Sequence, residues 1–132
     1  MTYRFVDHTS ELRLELEAQT EASVLAEAAV AIGDLLGDSP PERVEVVREV
    51  QVEAGDRAAL LAAWLDELVF LAETDGFVPT RVDRIQIDGG AARGVVSGYH
   101  GSPPHLIKGV TYNELELSFD GRLWHGRVVL DV

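Results

Sequence analysis

Apolar and polar positions along the chain alternate with a period of two, switch to a helical period, and then switch back. Met1 to Asp7 reads as a strand, and Leu12, Leu14 and Leu16 alternate with Arg13, Glu15 and Glu17, the signature of a strand with one buried face. Thr20 is a natural N-cap for a helix whose apolar positions include Val24, Ala28, Ala31, Ile32, Leu35 and Leu36. Gly37 supplies a C-terminal stop, and Pro40-Pro41 prevents the helix from continuing. A β-rich run follows through Val44 and Val46, then Val50 and Val52. Its change of phase at Val47-Arg48 predicts a bulge or bend.

Asp56 caps a second helix, expected from Arg57 to about Thr74. Leu60, Leu61, Trp64, Leu65, Leu68, Val69 and Leu71 leave little of its circumference polar, so it is expected between layers. Ile85 and Ile87 form a strand that ends at Gly89-Gly90, a hairpin signal, with Val95 and Val96 on the return. Gly98 through Pro104 reads as loop.

The last hairpin carries Leu115, Leu117 and Phe119 in alternation before Asp120-Gly121, which predicts a two-residue type I′ turn. That turn sets Leu117 opposite Trp124, Leu115 opposite Gly126 and Glu114 opposite Arg127. Extended, the ladder puts Val110 opposite Asp131. Lys108 then lies diagonally on the same face as Asp131, at roughly 7–8 Å between Cα atoms, unless a bulge intervenes. The elements compose one α+β domain over residues 1–132. Two largely buried helices pack among mostly antiparallel sheets, and a strand-helix-strands unit occurs twice.

Size and composition agree with that core. The 132 residues are 46% hydrophobic, too apolar for disorder. Against 11 Lys and Arg stand 23 Asp and Glu, a net charge of −12. So acidic a surface is a poor match for phosphate backbones, so direct nucleic-acid binding is not expected, and it suits a basic protein partner or a cation. The absence of cysteine excludes a thiolate nucleophile and disulfides. With no leading apolar segment and the run Ala58–Leu65 broken by Asp66 and Glu67, the expectation is a cytoplasmic protein without a membrane segment.

Candidate chemistry is sparse. Asp7-His8-Thr9-Ser10-Glu11 reads first as a turn, and alternatively as a carboxylate, Asp7, offered to a site at a strand end. Asp131 follows Val128-Val129-Leu130 and precedes Val132, whose α-carboxylate would add oxygen. This is either a solvated end or a site for a hard cation. His8, His100, His105 and His125 lack metal-ligand spacing, and no serine sits in a nucleophile elbow.

Four segments in order resemble the archease family. They are Asp7-His8-Thr9, the helix Leu60-Leu61-Ala62-Ala63-Trp64-Leu65-Asp66-Glu67-Leu68, Ile107-Lys108-Gly109-Val110-Thr111-Tyr112, and Leu130-Asp131-Val132. The resemblance implies a non-enzymatic cofactor of an RtcB-type RNA ligase in tRNA splicing or RNA repair, promoting ligase guanylylation and multiple turnover. It implies a divalent cation (calcium, magnesium or manganese) held by Asp7, Asp131 and Val132, with Lys108 as the motif lysine. Ser10 and Gly109 stand where the family usually has alanine, and Asn113 where many members carry histidine. Two other readings remain open at this point: an independent metal-dependent phosphoesterase, and a non-catalytic acidic interaction domain.

Overall fold

The computed structural model describes residues 2–8, 11–37, 43–103, 105 and 107–132. The elements run β1 (Thr2–His8), β2 (Glu11–Ala18), α1 (Glu21–Leu36), β3 (Glu45–Glu53), α2 (Arg57–Asp75), β4 (Phe77–Asp88), β5 (Ala91–His100), β6 (Gly109–Phe119) and β7 (Trp124–Asp131). One sheet has the order β1-β2-β7-β6 and the other β3-β5-β4, and all their pairings are antiparallel. Strand, helix and strand recur as β2-α1-β3 and β3-α2-β4, with β3 shared. The last hairpin returns to the first sheet because β7 pairs with β2.

Both helices form where local chemistry directs. Thr20 Oγ1 accepts a hydrogen bond from Ser23 N at 3.0 Å, and Asp56 Oδ1 accepts one from Ala59 N at 2.8 Å. Each cap satisfies an amide the helix leaves unpaired, worth about 1 kcal/mol. Gly37 and Gly76 close the two helices in the left-handed conformation, at φ 73° and 66°.

The helices lie between the sheets, and each touches strands of both. Trp64, Leu60, Leu61, Leu65 and Leu68 of α2 are fully enclosed. The indole of Trp64 donates to Leu25 O at 2.9 Å, which satisfies the one polar atom this side chain brings into the core. Two glycines permit close approach. A Cβ on Gly94 would stand 2.6 Å from the Trp64 ring, and one on Gly33 would collide with the Pro79 carbonyl oxygen where α1 crosses β4.

Four sequence expectations are corrected. β3 pairs with β5 without interruption, so there is no bulge at Val47-Arg48. Arg48 takes an inward position instead, with its guanidinium 5.8 Å from the Phe77 ring centre and 3.1 Å from His100 Nε2. Its long stem fills an apolar site while the charge finds partners at the rim. Val44 falls outside the strand and is exposed. Gly98 to His100 are strand, not loop: Gly98 is the glycine that lets β5 approach the Val78 carbonyl on β4.

The final turn is longer than two residues. Phe119 faces Trp124 and Leu117 faces Gly126, so residues 120–123 form the connection. Asp120 builds it, its Oδ1 accepting from Arg122 N and Leu123 N, each at 2.8 Å. Those main-chain donors, led by Leu123 and joined by the ring of His125, hold the Asp120 carboxyl at about 2, below its usual 3.8. The register moves by two residues, so the faces expected for Leu115 and Leu117 survive, whereas Glu116 and not Glu114 faces Arg127. Farther along, the pairing jumps from Glu116↔Arg127 to Thr111↔Val129, leaving three extra residues on β6. Glu114, in this excursion, has φ 59°. Its carbonyl accepts from Arg127 Nε at 2.8 Å, and its carboxylate lies 3.5 Å from Arg13, which ties the excursion to the first sheet.

Candidate functional site

The first sheet ends in a row built from four distant stretches. His8 of β1 faces Glu11 of β2, Glu11 faces Asp131 of β7, and Asp131 faces Gly109 of β6. The row before it is Asp7, Leu12, Leu130 and Val110. Pleating sends the two rows to opposite faces. Leu130 is fully buried in its row, yet Asp7 at the sheet edge is exposed, as are Asp131 and Val132. The sheet therefore gathers Asp7 and Asp131 at one end, on adjacent rows.

Lys108 arrives differently from the sequence expectation. The three-residue excursion shifts the ladder so that Gly109, not Val110, faces Asp131. Alternation then denies Lys108 the face of Asp131, and the two meet through the main chain: Lys108 N donates to Asp131 O at 2.7 Å. This bond occupies the Asp131 carbonyl and pins the end of β7. The Lys108 residue is exposed, and its ammonium makes no ion pair among the described residues.

Glu11 is the residue that sequence reasoning left inside a turn motif. Its Oε2 is buried without a hydrogen-bond partner among the described residues. Leaving a carboxylate oxygen so placed is costly, on the order of 1–3 kcal/mol or more. Arg13, the nearest arginine along β2, is committed to Glu15 at 3.2 Å and Glu114 at 3.5 Å. The signal available beforehand was the alternation of β2, which separates Glu11 from the core-facing leucines; its opposition to Asp131 required the β2–β7 pairing.

These donors are carboxylates and main-chain oxygens, the set that suits a hard cation such as calcium, magnesium or manganese. The orphaned Glu11 oxygen beside Asp131 is compatible with such an ion. No group of three or more His, Asp or Glu side chains converges among the described residues. The expected set needs two side chains only, because Val132 enters through main-chain oxygen.

The remaining motif residues lie near or away from this end. Tyr112 and Asn113, in the β6 excursion, are exposed. His100 contacts Asp75 O at 2.9 Å, and His125 contacts Asp120 at 2.6 Å, both in other parts of the fold. No helix among the described residues is long and apolar enough to cross a membrane.

Comparison with known proteins agrees over the full length. The pattern of the archease protein family (MTH1598/TM1083) matches residues 3–132. The protein archease of Methanosarcina acetivorans is 34% identical over 139 residues, covering 98% of this chain and 95% of the relative. That of Methanosarcina barkeri is 31% identical with the same coverage. The solution structure of Methanobacterium thermoautotrophicum protein 1598 superposes with a TM-score of 0.75 at 26% identity, covering 98% of each chain. The crystal structure of an archease, possible chaperone, from Thermotoga maritima superposes with a TM-score of 0.67 at 19% identity. It covers 100% of this chain and 98% of its own, and supports the fold.

Proposed function

The chain belongs to the archease protein family, and from that premise we propose that it acts as a protein cofactor of an RtcB-type RNA ligase. In this reading it is not an enzyme itself. It promotes guanylylation of the ligase's active-site histidine and helps the ligase turn over repeatedly during tRNA splicing or RNA repair in the cytoplasm. One observation carries the reading: Asp7, Lys108 and Asp131, the residues of three separate motifs, come to one end of the first sheet.

Asp7 and Asp131, with main-chain oxygen from Val132, would hold a divalent cation, with calcium, magnesium and manganese as candidates. The bound cation would supply positive charge against the phosphates of a nucleotide. Lys108 acts twice over. Its amide fixes the position of Asp131, and its exposed ammonium is available to face developing negative charge, as positioned cations do in phosphoryl transfer. The net charge of −12 supports a visit to a basic surface, such as the RNA channel of a ligase, more than direct RNA binding.

The test is guanylylation of the cognate ligase at limiting nucleotide, with and without this protein. Wild type should raise the rate by at least about tenfold. The Asp7→Ala/Asp131→Ala double variant should not raise it, and Lys108→Met should fall well below wild type. Equal stimulation by the double variant would remove the site while keeping the partner. Absence of stimulation by every form would remove the cofactor reading.

A further inference from the structure

We propose that the open side of α2, centred on Phe70, docks onto a basic protein surface that offers an apolar pocket. The inference rests on the reading above, in which that partner is the ligase. α2 lies between the two sheets with α1 on one flank, and it packs chiefly against β6 and β3. Both strands are edges of their sheets, so the other flank of α2 opens to solvent between two edges. Asp66, Phe70, Glu73 and Thr74 recur at helical spacing along that flank, and all four are exposed. Phe70 leaves 54% of its surface in water.

One exposed aromatic residue is ordinary, whereas a concentration of apolar residues on one side marks a contact surface. Among the described residues, the exposed large hydrophobics other than Val132 are Val44, Val47, Phe70, Tyr112 and Phe119. Val47 belongs to β3 and Val44 precedes it, Phe70 belongs to α2, and Tyr112 and Phe119 belong to β6. All five therefore sit on or beside the three elements that border the open side.

Charge selects the occupant. Asp66, Glu67 and Glu73 stand three or four residues from Phe70, where side chains on a helix are neighbours. None of the three makes an ion pair among the described residues, and Arg57 is the sole basic residue of α2. A second copy of this chain would set the same carboxylates against one another, and nucleic acid or an anionic lipid surface would be repelled as well. A protein surface with lysine or arginine around an apolar pocket satisfies both features. The pocket takes the ring, and the basic rim pairs with the carboxylates.

The position fits a partner that also reaches Lys108. Arg57, at the start of α2, stacks over Trp124 beside the last turn. Past the other end of the helix, Gly76 O accepts from Gly101 N at 2.8 Å, on the connection that leads to Lys108. Phe70, in the second half of the helix, therefore lies toward the end of the molecule where Lys108 meets Asp131.

The experiment is calorimetric binding of the purified full chain to the cognate ligase at low and high salt, with thermal unfolding of each variant alongside. The variants are Phe70→Ala, Asp66→Asn/Glu73→Gln and, as a control on the far face of the second sheet, Arg93→Ala. Phe70→Ala should bind at least about tenfold more weakly and melt at the wild-type temperature, because an exposed ring adds little to the fold. Asp66→Asn/Glu73→Gln should weaken binding and flatten its salt dependence. Arg93→Ala should bind as wild type does. Wild-type affinity in Phe70→Ala would overturn this face and leave the ligase reading standing. A melting temperature that falls in step with affinity would make Phe70 structural and overturn its docking role. Dimers of wild type that Phe70→Ala abolishes would give the face to a second copy and overturn the ligase as its occupant. No binding of the ligase by wild type would overturn the ligase reading and this inference together.

Discussion

At the scale of single residues, Gly33 decides how closely α1 meets the second sheet. A glycine in a helix interior costs about 1 kcal/mol against alanine, so local propensity alone favours replacing it. The packing reverses that sign, because a Cβ there would run into the Pro79 carbonyl oxygen, main chain that cannot rotate away. Gly33→Ala is expected to destabilise the protein by about 1–3 kcal/mol, measured by urea denaturation. A neutral or stabilising effect would mean that α1 and β4 stand farther apart. Asp120 gives a second residue-scale expectation. Its carboxyl, held at about 2 mainly by the Leu123 amide and then by His125 and Arg122, is lowered in the folded state from 3.8. A lowered folded value means the charged form stabilises the fold above about pH 4, and that contribution disappears as pH falls toward about 2. The melting difference between wild type and Asp120→Ala should therefore be constant at neutral pH and shrink across that acid window.

At the scale of elements, the β6 excursion is the feature with the widest consequences. Three extra residues between Thr111 and Glu116 reverse which positions of β6 face inward. Val110 and Leu117 thus both reach the core side although their numbers differ in parity. Removing residues 112–114 would join Thr111 directly to Leu115 and let the ladder run through Val128 without a break. The deletion is expected to fold, with an unchanged far-ultraviolet spectrum. Loss of the Arg127 contact with the Glu114 carbonyl and of the part-buried Arg13 contact should cost on the order of 1–2 kcal/mol. Collapse of the fold on deletion would show that the excursion is structural support. A folded protein that no longer stimulates the ligase would assign Tyr112, Asn113 or Glu114 to partner contact. Arg48 shows why such shifts escape strand patterns: its polar label breaks the alternation of valines, while its stem behaves as an apolar inward residue.

At the scale of the whole molecule, the chain closes one sheet from its two ends and encloses both helices between that sheet and the other. What was legible beforehand was whatever depends on near neighbours. Thr20 and Asp56 announced the helix starts, Gly37 a helix stop, and the apolar circumference of the second helix its burial, because caps and periodicity act within a few residues. Asp7, Asp131 and Lys108 could be singled out as residue types within motifs, and the family likeness grouped them. The tertiary structure alone decided the register of the last hairpin, the meeting of Lys108 and Asp131 through main chain, and the opposition of Glu11 to Asp131. Each depends on which strand lies beside which. That choice is made by packing between residues from opposite ends of the chain, where no local propensity acts.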